Sequence, residues 1–200
     1  IHMVGTEQRD GARNLGGLLQ ADKTKTVSSN GKLSWGTASQ EASTQAGSDI
    51  QLIAKDALEH QGKLHSGGTV NVESQTSSVS NHGTLAALKD VNINAKGDIQ
   101  NQGNILAGSD NKSQIINNAN ITLSSDSKIN SRGTLLSKQN VTATGKSLDL
   151  SQTQIAASNL ALTAKQGDIA LSQGKIDAKD IKLNSARDIH AEQIQVKAKQ

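Results

Sequence analysis

From Gly62 onward the aliphatic residues of this chain fall into three columns. Written in rows that each begin at a small turn residue, the first column holds Leu64, Leu85, Ile105, Leu135, Ile155 and Ile176. The second holds Val70, Val91, Ile121, Val141, Leu160 and Ile181, and the third Val79, Ile99, Ile129, Leu148, Ile169 and Ile189. Within a row, apolar and polar residues alternate, as in Val91-Asn92-Ile93-Asn94. That alternation turns one side chain inward and the next outward, which is the signature of a strand. Between the columns lie Gly, Asn, Asp and Ser, residues that tolerate tight or left-handed backbone. Gly97-Asp98 and Gly167-Asp168 are examples. A helix would need apolar residues every third or fourth position, and that stripe is absent.

Three short strands per row of about 20 residues predict an all-β chain, a right-handed parallel β-helix whose coils stack ~4.8 Å apart. No coil of such a solenoid is stable without neighbours, and right-handedness is the usual hand of parallel strand connections. The rows from Gly31 and from Gly103 are longer than the rest. Corner insertions are therefore expected at about 36–47 and 107–118, both between the first and second strands. Residues 31–200 are expected to form the repeats. Residues 1–30 fit the period poorly and are expected to be an irregular cap or partial coil, with Ile1-His2-Met3 reading as a cloning remnant.

Insertions on one side of a solenoid are where binding surfaces tend to be built, although loops on a rigid coil also tolerate extra length cheaply. Ile115 and Ile116 within the second insertion predict that it packs on the rod. The candidate partner-binding residues are Trp35, Ser109, Asp110, Asn111, Lys112 and Gln114. Trp35 has a second reading, as a residue that covers the core near the end of the coil. An exposed Trp is the kind of anchor that dominates interfaces.

Composition narrows the function classes. The chain has no Phe, Tyr, Pro or Cys and one Trp. Its core must then be narrow and aliphatic, since aromatic rings normally supply much of the buried area. Regular aliphatic spacing argues against disorder. Lacking cysteine, it has neither a disulfide scaffold nor a thiolate metal site. The net charge of +3 arises from 21 basic and 18 acidic residues interspersed. A nucleic-acid surface would want clustered basic residues, so no nucleic-acid partner is expected. No apolar run approaches the length of a membrane span.

The residues do not assemble known catalytic patterns. His2, His60, His65, His82 and His190 show no metal-ligand spacing, although His60, His65 and His82 are placed to approach one another on adjacent coils. Asp49, Asp98, Asp168 and Asp188 each precede an Ile and read as a repeated turn element. A β-helical carbohydrate enzyme would group carboxylates on one face instead. No nucleophile-elbow motif is present. Catalytic, cofactor-binding and metal-binding residues are therefore expected to be none, and no cofactor is expected.

The rows Gly83 to Gln102 and Ala164 to Ala178 carry the pattern Gly-Thr-Leu-x-Ala…Val-x-Ile-x-Ala-x-Gly-x-Ile-x-Asn-x-Gly. The pattern is similar to the repeats of filamentous haemagglutinin. The same repeats occur in two-partner secretion exoproteins, including contact-dependent growth-inhibition proteins of the CdiA type. The resemblance covers the chain from about Leu15 onward. It implies a secreted, surface-displayed rod that leaves the cell through an outer-membrane β-barrel transporter. It implies an adhesive shaft that projects an adhesive or toxin region, or a segment that recognises a receptor on a target cell. As a fragment the chain is expected to be a monomer or to associate end to end through its open strand edges.

Overall fold

The computed structural model describes residues 2–5, 12–14, 17–21, 23–36 and 42–197. Every strand in it pairs in parallel with the equivalent strand one coil away. All three sequence columns are realised as ladders. On the first face Leu64, Leu85, Ile105, Leu135, Ile155 and Ile176 are successive register partners. Val70, Val91, Ile121, Val141, Leu160 and Ile181 are partners on the second face. On the third, Val79, Ile99, Ile129, Leu148, Ile169 and Ile189 form a nine-stranded sheet together with their earlier counterparts. Nine strands at ~4.8 Å make a stack of roughly 40 Å. The first and second faces join into one sheet in the later coils, because Gln154–Ala164 and Lys175–Ser185 run straight through the corner as eleven-residue strands.

The core is the file of inward residues. Second-face strands such as Val70–Ser74 and Ile121–Ser125 alternate between buried and less buried positions. Their inward members, among them Leu52, Val70, Ile93, Ile121 and Leu123, are at most 2 % exposed. The last coil has no described neighbour beyond it, and its inward Ile181, Ile189 and Val196 are 38–52 % exposed.

Corners are closed by small residues with defined work. Inward serines at strand ends turn their hydroxyls back to the chain: Ser125 Oγ donates to the Gly97 carbonyl and accepts from the Ser127 N–H. The glycines that open the rows stack directly. A Cβ on Gly83 would lie 2.1 Å from the Gly62 carbonyl oxygen, and on Gly103 it would lie 1.9 Å from that of Gly83. Backbone meets backbone there, so no side chain fits.

Two expectations are corrected. Ala42–Ala46, inside the first expected insertion, is a regular first-face strand between Gly17–Ala21 and Gly62–Ser66. Leu33–Trp35 belongs to the third face, where Leu33 pairs with Leu58. The surplus residues therefore lie near 36–41, between the third and first faces, and 37–41 fall outside the described residues. The N-terminal stretch also joins the ladders: His2–Gly5 pairs with Lys25–Ser29, and Ala12–Asn14 with Leu33–Trp35. The coil pattern thus begins before residue 31.

Gly103→Ala should destabilise the protein by on the order of 3 kcal/mol in chemical denaturation, because two stacked backbones must part. Gly145→Ala, whose closest contact would be 3.0 Å, should cost clearly less. Equal losses would remove stacking as the reason for the glycine column.

Candidate functional site

One element breaks the smooth outline of the rod. Between the first-face strand Asn104–Ala107 and the second-face strand Ile121–Ser125, residues 108–118 fold back as a small hairpin. Ser109 and Ile115 form an antiparallel bridge. Gly108, in the left-handed region at φ 75°, gives its carbonyl to the N–H groups of Ile116 and Asn117. At the tip, Asp110 Oδ1 accepts the N–H groups of Lys112 and Gln114, both at 2.9 Å. The Gln114 N–H, followed by the N–H and charge of Lys112, holds the Asp110 carboxyl below its ordinary value.

The hairpin is tied to coils before its own. Lys63 Nζ donates to the Asn111 carbonyl at 2.8 Å, and the His65 ring nitrogen Nε2 meets the Ser109 carbonyl at 2.9 Å. Because that carbonyl only accepts, His65 carries a proton on Nε2. Gly108 N–H donates to Lys89 O, and Asn117 Nδ2 to Leu88 O. Beneath this crossing lie Ala86 and Leu106. Strand alternation turns both outward, yet they are 1 % and 4 % exposed. The hairpin covers them.

The expected partner-binding residues divide into two groups. Asn111, Lys112 and Gln114 are exposed at the tip, beside Ile116, which is 51 % exposed. Ser109 is fully buried and serves as an anchor, its N–H bound to Ala87 O. Asp110 organises the turn. Trp35 is fully buried, with Nε1 donating to Thr44 Oγ1 at 2.8 Å. A partner has no access to it in this fold, and its place is in the core. Ile116, Lys63 and His65 were absent from the sequence candidates. The available signal was an apolar residue at two outward positions, Ala86 and Leu106.

A buried polar file runs along the third face from Trp35. His60 is its register partner, followed by Asn81, Asn101 and Ser131. Gly83 N–H and His60 Nδ1 both reach Asn81 Oδ1, so Nδ1 donates. Asn81 Nδ2 donates to Asn101 Oδ1 at 2.9 Å, and Asn101 Nδ2 to Ser131 Oγ at 3.2 Å. His60 Nε2 is buried without a hydrogen-bond partner. Burial lowers the His60 pKa to about 4, against the gain from Asn81. Another ionisable group sits inside: Lys25 takes the second-face position of Ile50 and Val70, with Nζ donating to Gln45 O at 3.1 Å. Burial lowers its pKa to about 8.

The three histidines do not converge. His60 points into the core, His65 outward to the hairpin, and His82 to Gln102 at an exposed corner. The acidic turn residues occupy two corners. Asp49 Oδ1 accepts Thr69 N–H ahead of the second face, while Asp98 and Asp168 accept Lys128 and Asp188 N–H ahead of the third. Each caps the next coil. His190, read as lacking a ligand partner, stands with Asp168 and Asp188, their ligand atoms within 4.8 Å. Two carboxylates and an imidazole are a donor set that a divalent cation accepts. In this arrangement Asp168 already binds His190 Nε2 and Asp188 N–H, and His190 is the main cause of its lowered pKa.

The haemagglutinin repeat family matches the chain over residues 9–103, 74–126, 107–166 and 153–200. Neither the curated proteins nor the solved structures gave a match.

The buried imidazole generates a pH prediction. Its folded pKa lies below the ordinary value, so the unfolded chain binds a proton that the fold refuses. Stability from this source is intact above about pH 6.5 and is lost as pH falls towards 4, by about 3 kcal/mol in all. His60→Asn, which continues the Asn file, should flatten the acid limb in that window relative to the wild type. Parallel acid limbs in the two proteins would refute the assignment.

Proposed function

The chain belongs to the haemagglutinin-repeat family, and from that premise we propose that it is a shaft segment of a large secreted bacterial surface exoprotein, projecting an adhesive or toxin region from the cell. Proteins with this repeat are secreted or surface exoproteins, and the repeat is structural or adhesive rather than enzymatic. The observation that carries the reading is the unbroken in-register stacking on all three faces. Load applied along such a rod is shared by parallel ladders. A spacer needs length and stiffness, and the fold supplies both. In the family, export runs through an outer-membrane β-barrel partner. No described helix is long and apolar enough to cross a membrane. A chain without cysteine also cannot cross-link through disulfides while unfolded for export.

A second reading, receptor recognition on a target cell as in contact-dependent growth inhibition, is favoured by one feature. The hairpin 108–118 is braced by the two coils before its own and carries Ile116 in solvent, together with exposed Asn111, Lys112 and Gln114. A loop held in one conformation loses little entropy on binding.

Binding of the purified chain to intact target cells separates the two. For a shaft, neither the wild type nor Ile116→Ser binds saturably, and small-angle scattering reports an elongated particle. Saturable binding that Ile116→Ser weakens tenfold or more would replace the shaft reading with receptor recognition. Ile116→Ser is the cleaner variant, since deleting the hairpin would also uncover Ala86 and Leu106.

A further inference from the structure

The corner between the third and first faces changes character along the rod. Earlier coils turn through Gln61-Gly62, His82-Gly83, Gln102-Gly103 and Arg132-Gly133. The last three use Gln152, Gln173 and Gln193, all in the left-handed region at φ 60°, 58° and 52°. An L-residue there costs about 1 kcal/mol or more that glycine would avoid. Strain retained at one place in three successive coils marks a side chain that is wanted there. The three amides form an outward ladder. Gln152 Nε2 donates to Gln173 Oε1 at 2.9 Å, and Gln173 Nε2 to Gln193 Oε1 at 3.3 Å.

This ladder is one wall of an open groove of about 420 Å³. The opposite wall is Gln154, Lys175 and Gln195, register partners on the first face. Thr153 and Gly174 lie between the walls. A Cβ on Gly174 would turn inward and meet the Leu171 carbonyl at 2.9 Å, so the floor there is backbone. The groove runs along the rod, and its chemistry repeats every coil, ~4.8 Å.

We propose that this groove binds a linear, uncharged, hydroxyl-rich polymer of the β-1,4-linked glycan class, lying along the rod with about one sugar per coil. In an extended β-1,4 chain successive sugars alternate in facing, so like hydroxyls recur every second sugar, close to the span of two coils. The inner amide of the ladder, Gln173, keeps one N–H and one acceptor site after bonding its neighbours, which is the pairing a sugar hydroxyl requires. Lys175 is the one charged residue among the lining groups, and a polyanion would call for a cation in every coil. An extended peptide would seek free backbone groups, but the N–H groups of Gln154, Gly174, Lys175 and Gln195 are already bonded within the coil stack. With no aromatic platform for stacking, each sugar binds weakly and affinity accumulates with chain length.

The test is calorimetric titration of the whole chain with cellohexaose and with cellobiose. Cellohexaose should bind saturably and at least tenfold more tightly than cellobiose. The triple variant Gln152→Gly, Gln173→Gly and Gln193→Gly keeps the left-handed corner and removes the amides, and it should bind at least tenfold more weakly. Gln154→Ala with Gln195→Ala, on the opposite wall and free of backbone strain, should weaken binding likewise. Asn92→Ala, which removes the Asn92–Asn71 amide pair on the second face, should leave it unchanged. Absent binding by the wild type, equal affinity for the two sugars, or undiminished binding in both groove variants would overturn the proposal.

Discussion

Each residue of a coil must lie directly on its counterpart in the next coil, and the rest of the structure depends on that constraint. The parallel ladders that impose it have no tolerance for drift. A slip of one residue would turn the aliphatic file Val70, Val91, Ile121, Val141 and Leu160 out to water. Stacking therefore selects residues by column. Branched aliphatics fill the faces, small residues close the corners, and glycine stands where one backbone rides on another, as at Gly62, Gly83 and Gly103.

The same constraint governs the polar groups. Like stacks on like, so an amide or carboxylate finds its partner one coil away. Asn81 bonds Asn101, Asn92 bonds Asn71, and Asp49, Asp98 and Asp168 each cap an N–H of the next coil. A buried polar group is tolerable when its partner is supplied in this way. His60 stands at the edge of that economy: Nδ1 is bonded and Nε2 is not. The neutral imidazole survives there, and burial opposes the charged form.

Function on such a rod is confined to its outer surface and corners. The hairpin 108–118 and the glutamine corner 152–193 are departures of different kinds. The hairpin adds chain, then uses it to cover Ala86 and Leu106 and to hold Ile116 in solvent. At the glutamine corner no chain is added, but the backbone is held in a costly conformation that repeats in three coils. Both keep the strands beneath them in register, so either can vary without unseating the core.

The three aliphatic columns, the period and the parallel coil were legible in the sequence, because alternation and repetition are local properties that a fold of stacked identical units cannot hide. The excursion at 107–118 was legible as surplus length. Ile115 and Ile116 were read as packing on the rod, but Ile116 stands 51 % exposed. The early coils were misread. Ala42–Ala46 lacks large aliphatics, Lys25 sits where its column expects one, and Leu33-Ser34-Trp35 resembles a first-face strand until Leu33 is seen on Leu58. Tertiary structure alone decided which residues meet across coils. It buried Trp35, set Lys63 and His65 under a loop more than forty residues away, brought Asp168 to His190, and lined up Gln152, Gln173 and Gln193. Periodicity says that positions stack, but the direction of each side chain at a corner depends on backbone angles that only the closed coil imposes.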